Sequence, residues 1–274
     1  MKLPGGPARL ACATRPAAYR VVVTINPGWS VYVALAVLLA VTVGANQAAR
    51  LGLGRDAVVA GVRAVVQLTL AAGIITFVVR SIWWSVVALL GMFVMAVLTT
   101  CRRVEAPGAW PWAAAAMACG IVPVLAILLA TRTIPIEGIA LIPVVGIVLG
   151  NTMTVHTLVG RRSFAALREE MGQYEAGLSL GLLPHQAIDE IIGRRVPEGL
   201  MPSLDQVRTS GVVTLPGAFI GVMLGGGSAV QAATAQVLVL FAIMATQSIT
   251  AGVEARLIRA RRLLPTDLAG SLVS

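Results

Sequence analysis

The chain has 274 residues, of which 57% are apolar and only 12% charged, and its mean hydropathy of +0.87 lies outside the range of water-soluble domains. Its net charge of +9 comes from twenty arginines and one lysine, Lys2. The arginines flank apolar runs and form no aromatic-interleaved basic patch, which excludes nucleic acid as a partner, and the position of the one lysine excludes Schiff-base and phosphate-loop chemistry.

The apolar runs are solid, as spanning helices require, and not alternating, as a lipid-embedded barrel requires. In chain order they cover residues 29–45, 57–79, 82–99, 110–130, 139–159, 207–224 and 230–251. The expected fold is therefore all-α and polytopic, with about seven transmembrane helices and a multi-pass position in the cell membrane. Residues 1–26 carry Lys2, Arg9, Arg15 and Arg20 with no continuous apolar core, so they read as an N-terminal extension before a transmembrane domain at 27–274. Trp29, Trp83, Trp84, Trp110 and Trp112 stand at helix starts, where indole rings suit the headgroup layer. The run at 207–224 is short, begins near Arg208 and contains Pro216, which suggests a kinked or partly re-entrant helix.

Orientation follows from counting basic residues on alternate flanks. Arg50, Arg55, Arg102, Arg103, Arg161, Arg162, Arg168, Arg194, Arg195, Arg256, Arg259, Arg261 and Arg262 share one side. Lys2, Arg9, Arg15, Arg20, Arg80 and Arg132 share the other. The positive-inside rule then gives N-out, C-in.

One long polar excursion, residues 160–208, falls on the arginine-rich, cytoplasmic side. Phe164, Leu167, Met171, Tyr174 and Leu178 recur at helical spacing, and Pro184 and Pro197 favour new helix starts. Glu175, Ala176 and Gly177, then Gly181 and Ile191, resemble the E-A-A-x3-G-x9-I loop of ABC transporter permeases, with Gly177 in place of the second alanine and Gly193-Arg194 where that loop has Leu-Pro. A small residue at a tight bend lets two helices turn close together, and an exposed carboxylate pairs with a basic partner.

Further motifs extend the resemblance along the chain. Arg63 and Gln67 stand in R-AVV-QL, and residues 141–153 read LIPVVGIVLGNTM. They are followed by LSLG at 178–181, MPSLD at 201–205 and VVTLPG at 212–217. In this order and spacing they look like the signatures of the FetB family, iron-export ABC permeases similar to plant aluminium-tolerance permeases. The resemblance implies a seven-helix permease, paired as a homodimer with a separate ATPase subunit that binds the ATP. It also implies that residues 160–208 are the coupling segment, with Glu175, Ala176, Gly181 and Ile191 at the docking point. No G-x4-G-K-[ST] phosphate loop occurs in this chain, so the ATPase is expected on another polypeptide and no cofactor on this one. Ala218 and Phe219 replace two family methionines and Ile147 a third. That weakens a thioether-lined metal path and keeps open a polar organic solute, such as the nucleotide sugars linked to the wider family.

Residues expected in the transport route are Arg63 and Gln67, four apart on one helix face, with Asn151 and His156 near the inner end of the fifth span. Against that reading, Arg63 snorkels to the interface and His156 is a satisfied packing residue. Gly146 and Gly150, and Pro216, Gly217 and Gly221, form small-residue rows suited to helix packing. No metal-ligand spacing joins Cys12, Cys101 and Cys119. A secondary transporter or channel would call for paired carboxylates at span centres, and an intramembrane enzyme for a nucleophile with its base. Neither constellation is found in the proposed spans.

Overall fold

A computed structural model describes residues 28–78 and 81–272; the N-terminal extension lies outside the described residues. Among these the fold is helical throughout, apart from one isolated bridge between Ser210 and Thr214. The helices are α1 Trp29–Ala48, α2 Gly54–Val78, α3 Ile82–Arg103, α4 Trp110–Ala130, α5 Gly138–Glu169 and α6 Met171–Ser179. They continue as α7 Pro184–Ile192, α8 Arg195–Thr209, α9 Gly217–Leu224, α10 Ala229–Arg259 and α11 Thr266–Ser271.

Six of these, α1 to α5 and α10, are long and apolar enough to cross a bilayer. The run at 207–224 is not one helix. It holds the end of α8, an irregular stretch at 210–216, and the eight-residue α9. Pro216 is the reason α9 starts where it does, because its fixed φ suits the residue before a first helical turn.

The chain divides into two compact units, Met1–Arg55 and Asp56–Ser274. In the first, α1 buries no residue and has no distinct polar face. In the second, α3, α4, α5 and α10 pack into a bundle whose outward side chains, such as Trp83, Val94, Ile127 and Phe241, stay exposed for lipid. Lipid tails are as apolar as leucine, so helix association there depends on close packing and not on the hydrophobic effect.

Glycine provides that closeness at particular points. A Cβ on Gly120 of α4 would collide with Thr250 Oγ1 and lie 2.6 Å from the Thr246 carbonyl oxygen of α10. One on Gly199 of α8 would lie 2.6 Å from Val159 Cγ2 of α5. The glycine rows singled out from sequence behave differently within one chain. Gly146 meets Met92 Cε at 3.2 Å, but Gly150, Gly217 and Gly221 face open space. Within the chain, Gly150, Gly217 and Gly221 therefore mark no close helix contact, whereas Gly120 and Gly199 do.

At about 1.5 Å per residue, the 32-residue α5 and 31-residue α10 reach roughly 46–48 Å, well beyond a hydrocarbon core of about 30 Å. Their C-terminal turns emerge together at the end of the bundle where Arg102, Arg103, Arg256 and Arg259 lie. The short helices α6, α7 and α11 assemble around them. Phe164, Leu167, Ile188, Ile192, Ile258, Leu268 and Leu272 are fully buried there, in a small water-driven core. The amphipathic stripe of the sequence is part of it, but divided: α5 carries Phe164 and Leu167, the chain bends at Glu170, and α6 carries Tyr174.

The C-terminal tail closes this end. Arg168 donates to both carboxylate oxygens of Asp267 at 2.7 and 3.2 Å, and Tyr174 donates to the Leu272 carbonyl oxygen at 3.1 Å. Arg262 lies 4.7 Å above the ring centroid of Trp112. The basic residues read as cytoplasmic on α3, α5 and α10 thus share one end of the bundle.

Candidate transport groove and docking hairpin

Arg63 is the only charged residue in the interior of α2, and helical spacing puts Gln67 one turn on along the same face. Both open into a groove of about 620 Å³ between α2, α3 and α5. Thr99 and Arg103 of α3 line its walls, together with Met92, Met95 and Met153. No acidic side chain lines it, and neither Arg63 nor Arg103 has an ion-pair partner among the described residues. Two unpaired guanidiniums present planar, forked donors suited to carboxylate or phosphate oxygens. The methionines give flexible walls that adjust to an irregular solute.

The other two polar residues grouped with them in sequence lie elsewhere. Asn151 turns its amide back to its own helix, donating to the Ile147 carbonyl oxygen at 2.8 Å, while its main-chain carbonyl accepts from Gln247 at 3.1 Å. His156 is fully buried, facing α3 and α10 and not the groove. Its Nδ1 lies 3.3 Å from Thr100 Oγ1 and 3.7 Å from Glu254 Oε1, and Thr100 meets Thr157 at 2.9 Å. Both Glu254 oxygens, His156 Nε2 and Thr250 Oγ1 lack a hydrogen-bond partner among the described residues. A Cβ on Gly160 would come within 3.1 Å of Glu254, so this glycine makes the room the carboxylate occupies.

Glu254 is the residue that sequence reasoning missed. Hydropathy ends the last span at residue 251, because Arg256 and Arg259 follow. The available signal was the helical stripe Val239, Ile243, Gln247, Thr250, Glu254 and Ile258, which is buried along its whole length. A buried carboxylate is costly on such a stripe, and the His156 ring, with Nδ1 3.7 Å from Glu254 Oε1, is the titratable group that faces it.

The second feature is the α6–α7 hairpin. Gly181, at φ +91°, ends α6 with a Schellman turn in which Leu182 N–H donates to the Gly177 carbonyl and Gly181 N–H to that of Leu178, both at 3.0 Å. Gly177 is the contact point of the two arms: a Cβ there would lie 3.2 Å from Leu182 Cδ1 and 3.3 Å from Ala187 Cβ. Pro184 and the Gln186 side chain, which accepts from Leu183 N–H at 2.9 Å, then start α7.

Ile188, Ile191 and Ile192 sink into the core, and Arg259 of α10 holds Asp189 at 2.6 Å. Ile191 is therefore an anchor of the hairpin, not part of its outer face. Glu175 and Ala176 are exposed, as are Leu180 at 85% and Leu183 at 56%. The hairpin is firmly held from behind and presents an acidic and apolar tip to whatever lies beyond the basic end of the bundle.

Residues 29–263 match a family described as "Uncharacterised protein family (UPF0014)". The rice UPF0014 membrane protein STAR2 is 30% identical, over 80% of this chain and 78% of its own length. Protein ALUMINUM SENSITIVE 3 of Arabidopsis thaliana is 28% identical over 74% of this chain and 75% of its own. The Escherichia coli protein named "Probable iron export permease protein FetB" is 31% identical over 46% of this chain and 49% of its own. No solved structure matches. From the match across the whole helical body, this chain belongs to the UPF0014 family of multi-pass membrane proteins.

Proposed function

We propose that this chain is the membrane-spanning permease subunit of an ABC exporter, working as a homodimer with a separate ATPase subunit. The observation that carries the reading is the α6–α7 hairpin, pinned to the ends of α5 and α10 by Ile188, Ile192 and the Asp189–Arg259 pair, with Glu175, Leu180 and Leu183 left outward. A force applied to such a tip passes directly into two of the longest helices of the bundle. Gly181→Val tests it, because a β-branched residue resists φ +91°. The variant reaches the membrane, retains its ATPase weakly in pull-down, and loses substrate-stimulated ATP hydrolysis. Parent-like transport by this variant would reject the hairpin as the coupling element.

The first substrate reading is iron, carried over from the E. coli relative named as an iron export permease. The second is a polar organic anion, and the groove favours it: Arg63 and Arg103 repel a bare cation and attract carboxylate or phosphate. Inside-out vesicles holding the permease and its ATPase distinguish the two, by ATP-dependent accumulation of iron or of a nucleotide sugar.

A further inference from the structure

Where α3, α5 and α10 approach the basic end of the bundle, they enclose a polar cluster closed to solvent. Thr100, His156 and Glu254 are each 0% exposed, and none of them lines the groove of Arg63. The hydrogen bonds fix where the protons of this cluster lie. Thr157 donates its hydroxyl proton to the Met153 carbonyl oxygen at 2.8 Å, so Thr100 is the donor to Thr157 at 2.9 Å. The Thr100 oxygen is left to accept, and His156 Nδ1–H donates to it at 3.3 Å.

What remains is acceptors without a donor. Both Glu254 oxygens and His156 Nε2 are buried and unpartnered, and Glu254 forms no ion pair with arginine among the described residues. The charged groups of neighbouring elements are engaged elsewhere. α8, whose Val196 and Leu200 pack against Val155, Val159 and Ala251 of α5 and α10, keeps Glu198 and Arg195 in surface pairs with Arg162 and Glu170. Asp189 of α7 is held by Arg259, and Arg102 and Arg103 of α3, Arg161 of α5 and Arg256 of α10 are exposed. α4 has no charged residue, and on α3 the buried thiol of Cys101 is the titratable group within electrostatic reach of Glu254.

Buried acceptors that lack a donor call for a cation. A Cβ on Gly160 would lie 2.9 Å from Val104 Cγ1 and 3.1 Å from Glu254 Oε1, so not even a methyl group fits between α5 and the carboxyl. A metal ion takes three or more protein ligands or a shell of waters, and no three such side chains converge among the described residues. A proton meets both limits. A neutral pair costs less in a dry site than two buried charges without hydrogen bonds, so the proton rests on a Glu254 oxygen.

We propose that Glu254 and His156 form a buried proton-binding site, loaded while α5 and α10 pack as they do here and emptied when their inner ends part. On opening, the O–H bond of the Glu254 carboxyl breaks and cytoplasmic water takes the proton; on closing, water returns one. Arg259 stands five residues beyond Glu254, about 7.5 Å along α10, and holds Asp189 of the hairpin, so movement of the hairpin reaches the site through α10. The inference rests on the permease reading above for that movement, and adds to it a proton exchanged in each transport cycle.

Infrared difference spectra of the full-length chain in lipid nanodiscs, without its ATPase, test the site. At neutral pH the parent shows the C=O stretch of a protonated carboxyl, which shifts in deuterated water, is missing in Glu254→Gln and changes position in His156→Gln. In the complex with the ATPase, a non-hydrolysable ATP analogue changes the rate of that deuterium shift at least about tenfold. No such band in the parent, or one that persists in Glu254→Gln, would overturn the site. Should Glu254→Gln not reach the membrane, His156→Gln decides the assignment, and an unchanged band position there would overturn it. An exchange rate unmoved by the analogue, in a complex shown intact by pull-down, would overturn the link to the cycle. Failure of the parent to retain any ATPase would instead refute the permease reading, with the band still testing the proton site.

Discussion

A guanidinium within a spanning helix is expensive to leave in lipid, and Arg63, exposed within this chain, borders the open groove shared with Gln67 and Arg103. Its worth is best judged by substitution. Arg63→Leu should lower ATP-dependent export at least about tenfold, equivalent to roughly 1.4 kcal/mol at the transition state, with membrane expression near that of the parent. Arg63→Lys, which keeps charge but loses the planar fork, should recover only part of the rate. Full export by Arg63→Leu would reduce Arg63 to an interfacial anchor. Arg63 and Gln67 were legible in the sequence because both lie in one uninterrupted apolar run at helical spacing. His156 was visible but its partner was not: Glu254 lies among arginines, where a hydropathy window cannot separate a helix's buried face from its wet one.

Helix pairs in this bundle are held at points of close approach, and Gly120 marks one of them, between α4 and α10. Gly120→Ala places a methyl against the Thr246 backbone, which cannot rotate away as a side chain could. The two helices must separate, and overpacking of this kind costs about 1–3 kcal/mol. Gly120→Ala should therefore lower the thermal midpoint in detergent, whereas Gly150→Ala, with open space around it, should leave the midpoint within about 1 °C. Equal midpoints for the two variants would remove Gly120 from that role. Sequence spacing revealed small-residue rows but not which of them face a neighbour, since rotation of each helix about its axis is set by its partners.

The tail helix α11 is held by burial of Leu268 and Leu272 and, at its surface, by the Arg168–Asp267 ion pair. The hydrogen bond from Arg168 holds the Asp267 carboxyl below its usual range, so the folded state binds fewer protons than the unfolded one in that window. The contribution to docking is fully present above about pH 4, the ordinary carboxylate value, and is lost as the pH falls through the lower folded one. Because the pair is largely exposed, the effect is small and screened by salt. A fluorophore on Ala269→Cys should report a small loosening of the tail below about pH 4 at low ionic strength, and Asp267→Asn should remove that transition by starting from a slightly looser tail at every pH. An unchanged acid transition in Asp267→Asn would assign it to another group.

For the whole molecule, the proposed orientation is what puts the α6–α7 hairpin in the compartment that holds ATP. The basic ends of α3, α5 and α10, the α6–α7 hairpin and the tail all meet at one end of the bundle, while the loop between α4 and α5, with Glu137, lies at the other. The sequence pattern anticipated that the basic flanks of α3, α5 and α10 share one end, because arginines close the apolar run at the same end of each of these helices. The two-piece character of 195–224 was only half visible: Pro216 marked a break, but the polar residues of α8 concealed its alignment along α10. Single cysteines in a cysteine-free chain test the orientation. Ser179→Cys and Ala269→Cys, both exposed, should resist an impermeant thiol reagent in intact cells and react after lysis, and Glu137→Cys should react in intact cells. Labelling of Ser179→Cys before lysis would invert the molecule, place the hairpin out of reach of any cytoplasmic ATPase, and remove the coupling mechanism with it.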